Sequence, residues 1–167
     1  MIDAILRDLH QPEYLHVLLN PLPVYGLAIA LLGLIAALYL GTRGGQVTAL
    51  VLIFACAASA WPVAHYGEAA EDSVLAMADD DGQAWLKAHA HRADELIYVF
   101  YALALVSAAA IFAPKKWPRT ARPLAIATLI LTIVSLGTGF YIAHAGGKIR
   151  HREFRNAPPP QTESESG

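Results

Sequence analysis

Four long apolar blocks alternate with polar breaks along this chain of 167 residues. The blocks run from Val24 to Leu40, Val47 to Ala64, Leu96 to Ala113 and Leu124 to Ala143. Each is close to the roughly 20 residues that a helix needs to cross about 30 Å of hydrocarbon. Two of the breaks, "GTRGGQ" from Gly41 and "PKKWPRTARP" from Pro114, are short and end in helix breakers. The middle one is longer, yet Pro62 is the only proline between Val47 and Ala78, and none occurs from Gln83 to Phe112. The second and third helices are therefore predicted to run past the bilayer and meet at "DDDG", Asp79 to Gly82, with Pro62 kinking the second. The predicted fold is all-α: an integral membrane four-helix bundle with the second and third helices extended beyond the bilayer.

The ends follow other patterns. Ile2, Ile5, Leu6 and Leu9 recur at helical spacing among Asp3, Arg7, Asp8 and Glu13, which predicts an amphipathic helix on the membrane surface over residues 1–20 rather than a signal peptide. Residues 21–153 form the transmembrane domain. Residues 154–167 are predicted to be a disordered tail, because "APPPQTESESG" after Asn156 has nothing to bury.

Composition excludes an ordinary soluble domain: 56% of residues are hydrophobic, 16% are charged, and the mean hydropathy is +0.41. No nucleic-acid partner is expected. The lone Cys56 lies inside the second span, which excludes an internal disulfide and makes it a small buried hydrophobe. No Ser or Cys nucleophile stands with a base at a recognisable motif. An electron carrier or complex subunit is thus expected rather than a stand-alone enzyme. Arg43, Lys115, Lys116, Arg119 and Arg122 in the two short breaks put those turns on the cytoplasmic side, opposite the acidic middle loop and the two termini. The basic tail residues Lys148, Arg150, Arg152 and Arg155 then lie outside, against that rule.

Candidate chemistry lies at the mouth of the third span, in "KAHAHRADEL", where His89 and His91 stand beside Arg92, Asp94 and Glu95. Counting from the two basic turns at about 1.5 Å per residue puts His91 and His144 level with Glu71 and Asp72, and His65 roughly two turns lower. His16 joins that layer if the first helix survives Pro21 and Pro23. A haem iron takes two axial imidazoles from opposite sides, and a four-helix bundle can supply them from two helices. The candidate ligands are His91 with His144 as the level pair, then His65, His89 and His16. No CxxCH occurs, so the group would be non-covalent haem b. A non-haem metal would instead draw on His91, His144, Glu71 and Asp72. His89 and His91 are two residues apart and point to different faces, so at most one enters the bundle. The bland readings are a polar collar at the interface for the histidines and salt bridges from Glu68, Glu71 and Asp72 to Lys87 and Arg92. "DDDG" reads as a capped turn and not a calcium loop.

Two phrases carry a family resemblance. "NPLPVYGLAIALL" from Asn20 resembles the opening HPxxVHFPIALL of the bacterial four-span membrane family known as domain of unknown function 2231, and "GFYIAHAGGKIRH" from Gly139 is similar to its glycine-rich close. Asn20 and Tyr25 replace the two histidines of the opening phrase, and Leu27 its second proline. Fusions of that family to Rieske or cytochrome domains imply a place in membrane electron transfer. With that resemblance the expected setting is the bacterial inner membrane, with both termini periplasmic. The expected function is a haem b electron-transfer module between a quinone and an external redox protein. The alternatives are a cofactor-free structural or assembly subunit, packing on other membrane subunits or on a second copy through small-residue faces such as "ALALVSAAA", and a non-haem metal protein.

Overall fold

A computed structural model describes residues 2–159. Among them the regular structure is entirely helical: α1 (Ile2–Asp8), α2 (Pro12–Leu19), α3 (Leu27–Tyr39), α4 (Arg43–Ala58), α5 (Ala60–Met77), α6 (Asp80–Phe112) and α7 (Ala121–Arg150), with short 3₁₀ turns after α6 and α7. Four stretches are long and apolar enough to cross a membrane: Pro12–Tyr39, Arg43–Met77, Asp80–Lys115 and Pro118–Arg150. This is the four-helix membrane architecture the apolar blocks predict. A bilayer favours helices because each satisfies its own backbone polar groups.

The chain differs from expectation at both ends. The first 20 residues hold two helices, and α2 continues into the first span. Pro21 and Pro23 do not end that helix; they loosen it into a π-helical turn, Leu22–Gly26, in which the Tyr25 and Gly26 amides share the Pro21 carbonyl. Proline removes ladder donors there, and the wider turn lets the helix continue past them. At the other end Phe154 completes a 3₁₀ turn and Arg155 docks, half-buried, on α7 and on the loop after α5. The remainder of the predicted tail, from residue 160, lies outside the described residues.

The structure divides into two compact units. One comprises Asn20–Trp61 and Ile97–Gly139. Its interior is Leu27, Leu34, Leu50, Ile53 and Leu103 with four hydroxyls, Ser107, Thr128, Thr132 and Ser135, all fully buried. Each hydroxyl donates to the carbonyl four residues earlier in its own helix, so none is left unsatisfied in an apolar interior. Ile29, Leu32, Leu105 and Ile130 point outwards and are more than half exposed, as lipid-facing side chains are. Gly41, at φ +67°, ends α3 in the left-handed conformation that a helix C-terminus favours, and the Arg43 guanidinium caps α6 through the Ala110 carbonyl at 3.0 Å.

The other unit comprises, among the described residues, 2–19, 62–96 and 140–159. Its apolar cluster is Trp85, Leu86, Ala88, Ala145 and Ile149, flanked by Val74 and Leu75. The joint between α4 and α5 follows from Pro62, which cannot donate to the Ala58 carbonyl; Ser59 there turns its hydroxyl onto Cys56 O at 2.7 Å. The turn at Asp79 is capped on both sides. Asp79 Oδ1 accepts from the Gly82 amide at 3.1 Å, and Gln83 Nε2 donates back to the Leu75 and Ala78 carbonyls. Gly82 is needed because a Cβ there would lie 2.6 Å from the Ile149 carbonyl oxygen at the end of α7.

Candidate functional site

The second unit holds all seven histidines, and it brings together a pair the height count did not favour. His16 on α2 reaches across to α5, where its Nδ1 lies 2.8 Å from the Val63 carbonyl oxygen. His89 on α6 reaches across to α7, where its Nδ1 lies 3.0 Å from the Ile142 carbonyl oxygen. A carbonyl only accepts, so Nδ1 is the donor in both rings, which in the neutral imidazole leaves the lone pair on Nε2. The two ring centres are 6.3 Å apart, with planes at 89°.

Each ring is admitted by a glycine one turn beyond the carbonyl it meets. A Cβ on Gly67 would come within 2.9 Å of His16 Nδ1, and one on Gly146 within 3.1 Å of the His89 ring. A side chain at Gly67 would force the His16 ring to shift, and one at Gly146 would make the His89 ring give by a few tenths of an ångström.

His91 and His144, the level pair, are both exposed. His91 lies 3.4 Å from Glu95 in an i,i+4 surface pair. The cause is helical phase. The inward stripe of α6 passes through Trp85, His89, Phe100, Leu103, Ser107 and Ala110, which leaves His91 on the opposite side. Only one of the two histidines enters, as expected, and it is His89. His65 is exposed and tilts against the Tyr66 ring at 5.4 Å. Glu71 is half-buried and Asp72 exposed, and among the described residues no three His, Cys, Asp or Glu side chains gather to hold a metal ion. The proposed metal set of His91, His144, Glu71 and Asp72 is therefore not assembled. Nor do those carboxylates pair with Arg92, whose guanidinium lies 4.0 Å from the centre of the Tyr141 ring and donates to the Tyr141 carbonyl.

One turn before His89 on α6, Trp85 is 4% exposed and its indole nitrogen has no hydrogen-bond partner among the described residues. Lys148 on α7, 8% exposed, holds its ammonium 4.2 Å from the centre of that ring. Asp79 is engaged elsewhere, by Arg152 and Arg155, both at 2.9 Å. The Arg155 guanidinium holds the Asp79 carboxyl at about 2, below the ordinary carboxylate range.

The signal that would have picked His16 and His89 from sequence is an internal repeat. "VAHYG", Val63 to Gly67, matches "IAHAG", Ile142 to Gly146, and each begins with the residue whose carbonyl meets an imidazole and ends with the glycine that admits it. Setting His16 on His89 also pairs the buried positions Leu27 with Phe100, Ala30 with Leu103, Leu34 with Ser107 and Ala37 with Ala110. Setting Gly67 on Gly146 pairs Ala49 with Thr128, Ile53 with Thr132 and Ala70 with Ile149, again all buried. Comparison of the chain with models of protein families, with curated proteins and with solved structures finds no match.

Proposed function

We propose that the chain is a membrane haem b module for electron transfer, with His16 and His89 as the axial ligands. The observation that carries this reading is the pair itself: two inward imidazoles from different helices, each with Nδ1 committed to a backbone carbonyl and Nε2 open, 6.3 Å apart between ring centres. With metal–nitrogen bonds of roughly 2.0 Å, imidazoles on opposite sides of one iron place their ring centres about 6 Å apart. A carbonyl on the far nitrogen is the usual second partner of a ligating histidine; it sets ring orientation and makes Nε2 a better donor. The donor set also separates the two cofactor readings. A bare metal ion needs three or four protein ligands, whereas haem brings four of its own and asks for two.

When bound, haem supplies one-electron chemistry at its iron. The protein's share is to fix the two rings through Val63 and Ile142, and to keep water away with the apolar residues of that unit. In this reading the site serves a quinone and an external redox protein, and the setting is the bacterial inner membrane with both termini periplasmic. The resemblance to the four-span family, with its Rieske and cytochrome fusions, points the same way.

A second reading, a cofactor-free structural or assembly subunit, draws support from the same glycines. A ring that fills a glycine notch on its neighbour ties two helices together whether or not a cofactor is present. A reduced-minus-oxidised absorption spectrum of the protein purified in mild detergent separates the two. The haem reading expects sharp α and Soret bands, lost in His16→Ala and His89→Ala and kept in His91→Ala and His144→Ala. A flat spectrum from haem-replete cells, with all four variants still assembled, overturns it in favour of the structural reading.

A further inference from the structure

We propose that Trp85 and Lys148 form a carboxylate-binding site one turn from His89, and that it receives a propionate of the haem held by His16 and His89; this rests on the haem reading above. Three observations lead there. Lysine is almost never buried without a partner, yet Lys148 makes no ion pair among the described residues, and Asp79 is taken by two arginines. Its ammonium is held only against an aromatic face. The same tryptophan presents a buried indole N–H with no acceptor among the described residues, which costs free energy in an apolar interior.

An ammonium 4.2 Å from the ring centre lies within about 5 Å of the indole nitrogen, so one carboxylate can accept from both donors. Such a ligand group answers both deficits at once: it pairs the buried cation and satisfies the orphaned N–H. A neutral polar group would leave the charge unpaired, and a phosphate would be bulkier than two donors on adjacent helices require. Position then selects the molecule. Trp85 precedes His89 by one helical turn, about 6 Å along α6, and lies on the same face. A ligand whose metal meets His89 and whose acid group meets Trp85 carries a carboxylate on a short arm from the metal's equatorial ring, as haem does. The site is one-sided: the positions matching Trp85 and Lys148 in the first half of the repeat are Pro12 and Ala69, which offer neither charge nor side-chain donor.

The test is a binding titration read by quenching of tryptophan emission, in a protein with Trp61 and Trp117 replaced by Phe. Haem b, its dimethyl ester and iron-free protoporphyrin are compared on this protein and on its Lys148→Met, His16→Ala and His89→Ala derivatives. The site predicts that the free acid binds at least tenfold more tightly than the ester, and that Lys148→Met abolishes the preference while haem still binds. Equal affinity for acid and ester overturns the carboxylate site and leaves the haem reading standing. If haem shows no His-dependent binding, the haem reading fails; the carboxylate site then survives only if iron-free protoporphyrin binds with the same dependence on Lys148, and otherwise falls with it.

Discussion

The two halves of the chain, α2 to α5 and α6 to α7, agree most closely where the imidazoles sit and differ most in what fills the interior. His16 and His89, Val63 and Ile142, Gly67 and Gly146 hold equivalent places in the repeat, and the exposed His65 and His144 match as well. Further along, the first half buries Leu34, Ala49 and Ile53 where the second buries Ser107, Thr128 and Thr132. Interior packing between membrane helices thus accepts either methyls or self-satisfied hydroxyls, since a hydroxyl bonded to its own helix presents an apolar exterior. The imidazole and its glycine have no such freedom.

That contrast can be broken by substitution. The largest effects should come from the glycines: Gly67→Val and Gly146→Val each displace a ring and should destabilise by about 1–3 kcal/mol, and by similar amounts if the halves are equivalent. Gly137→Val, whose Cβ meets nothing within 4 Å, should stay within about 0.5 kcal/mol of the parent. Thermal unfolding in detergent reads all three. Exchanging the matched interior residues should matter less. Ile53→Thr should cost about 1 kcal/mol through lost packing, and Thr132→Val less than about 1 kcal/mol; a larger loss in Thr132→Val would mean its hydroxyl does more than satisfy the Thr128 carbonyl.

Acid should act on the turn between the halves. A carboxyl whose pKa is depressed by folding contributes its full stabilisation above the unfolded value and loses it as pH falls through the folded one. The Asp79 tie to Arg152 and Arg155 should therefore hold at neutral pH, weaken below about pH 4, and vanish once pH drops below about 2. Protease sensitivity at Arg152 and Arg155 should rise over that window in the parent and be high at every pH in Asp79→Asn. Smallest of all, His91→Ala and His144→Ala should shift stability by no more than about 0.5 kcal/mol, as exposed positions do.

The spans were readable because four apolar blocks of the right length admit one solution in a bilayer, and the Asp79 cap because Asp before a helix has one common use. The site was less readable. Heights counted from the turns group residues by level and not by face: they ranked His91 above His89 although the two differ by about 200° around α6. The stripe through Phe100, Leu103, Ser107 and Ala110 carried the phase, yet its mixture of Phe, Leu, Ser and Ala hides it from a reading of hydrophobicity alone. His16 was discounted because two prolines follow it, and the π-helical turn that carries the helix through them leaves no mark beyond the prolines themselves. Lys148 read as a tail charge. Its burial depends on Trp85, which is 63 residues earlier and adjacent only in the folded unit.

The most direct test of the central claim is electron paramagnetic resonance of the oxidised protein purified from haem-replete cells. Axial imidazoles with ring planes at 89° predict a highly anisotropic low-spin ferric signal, absent from His16→Ala and His89→Ala. No ferric haem signal, or a low-spin signal that persists in either variant, would contradict the account.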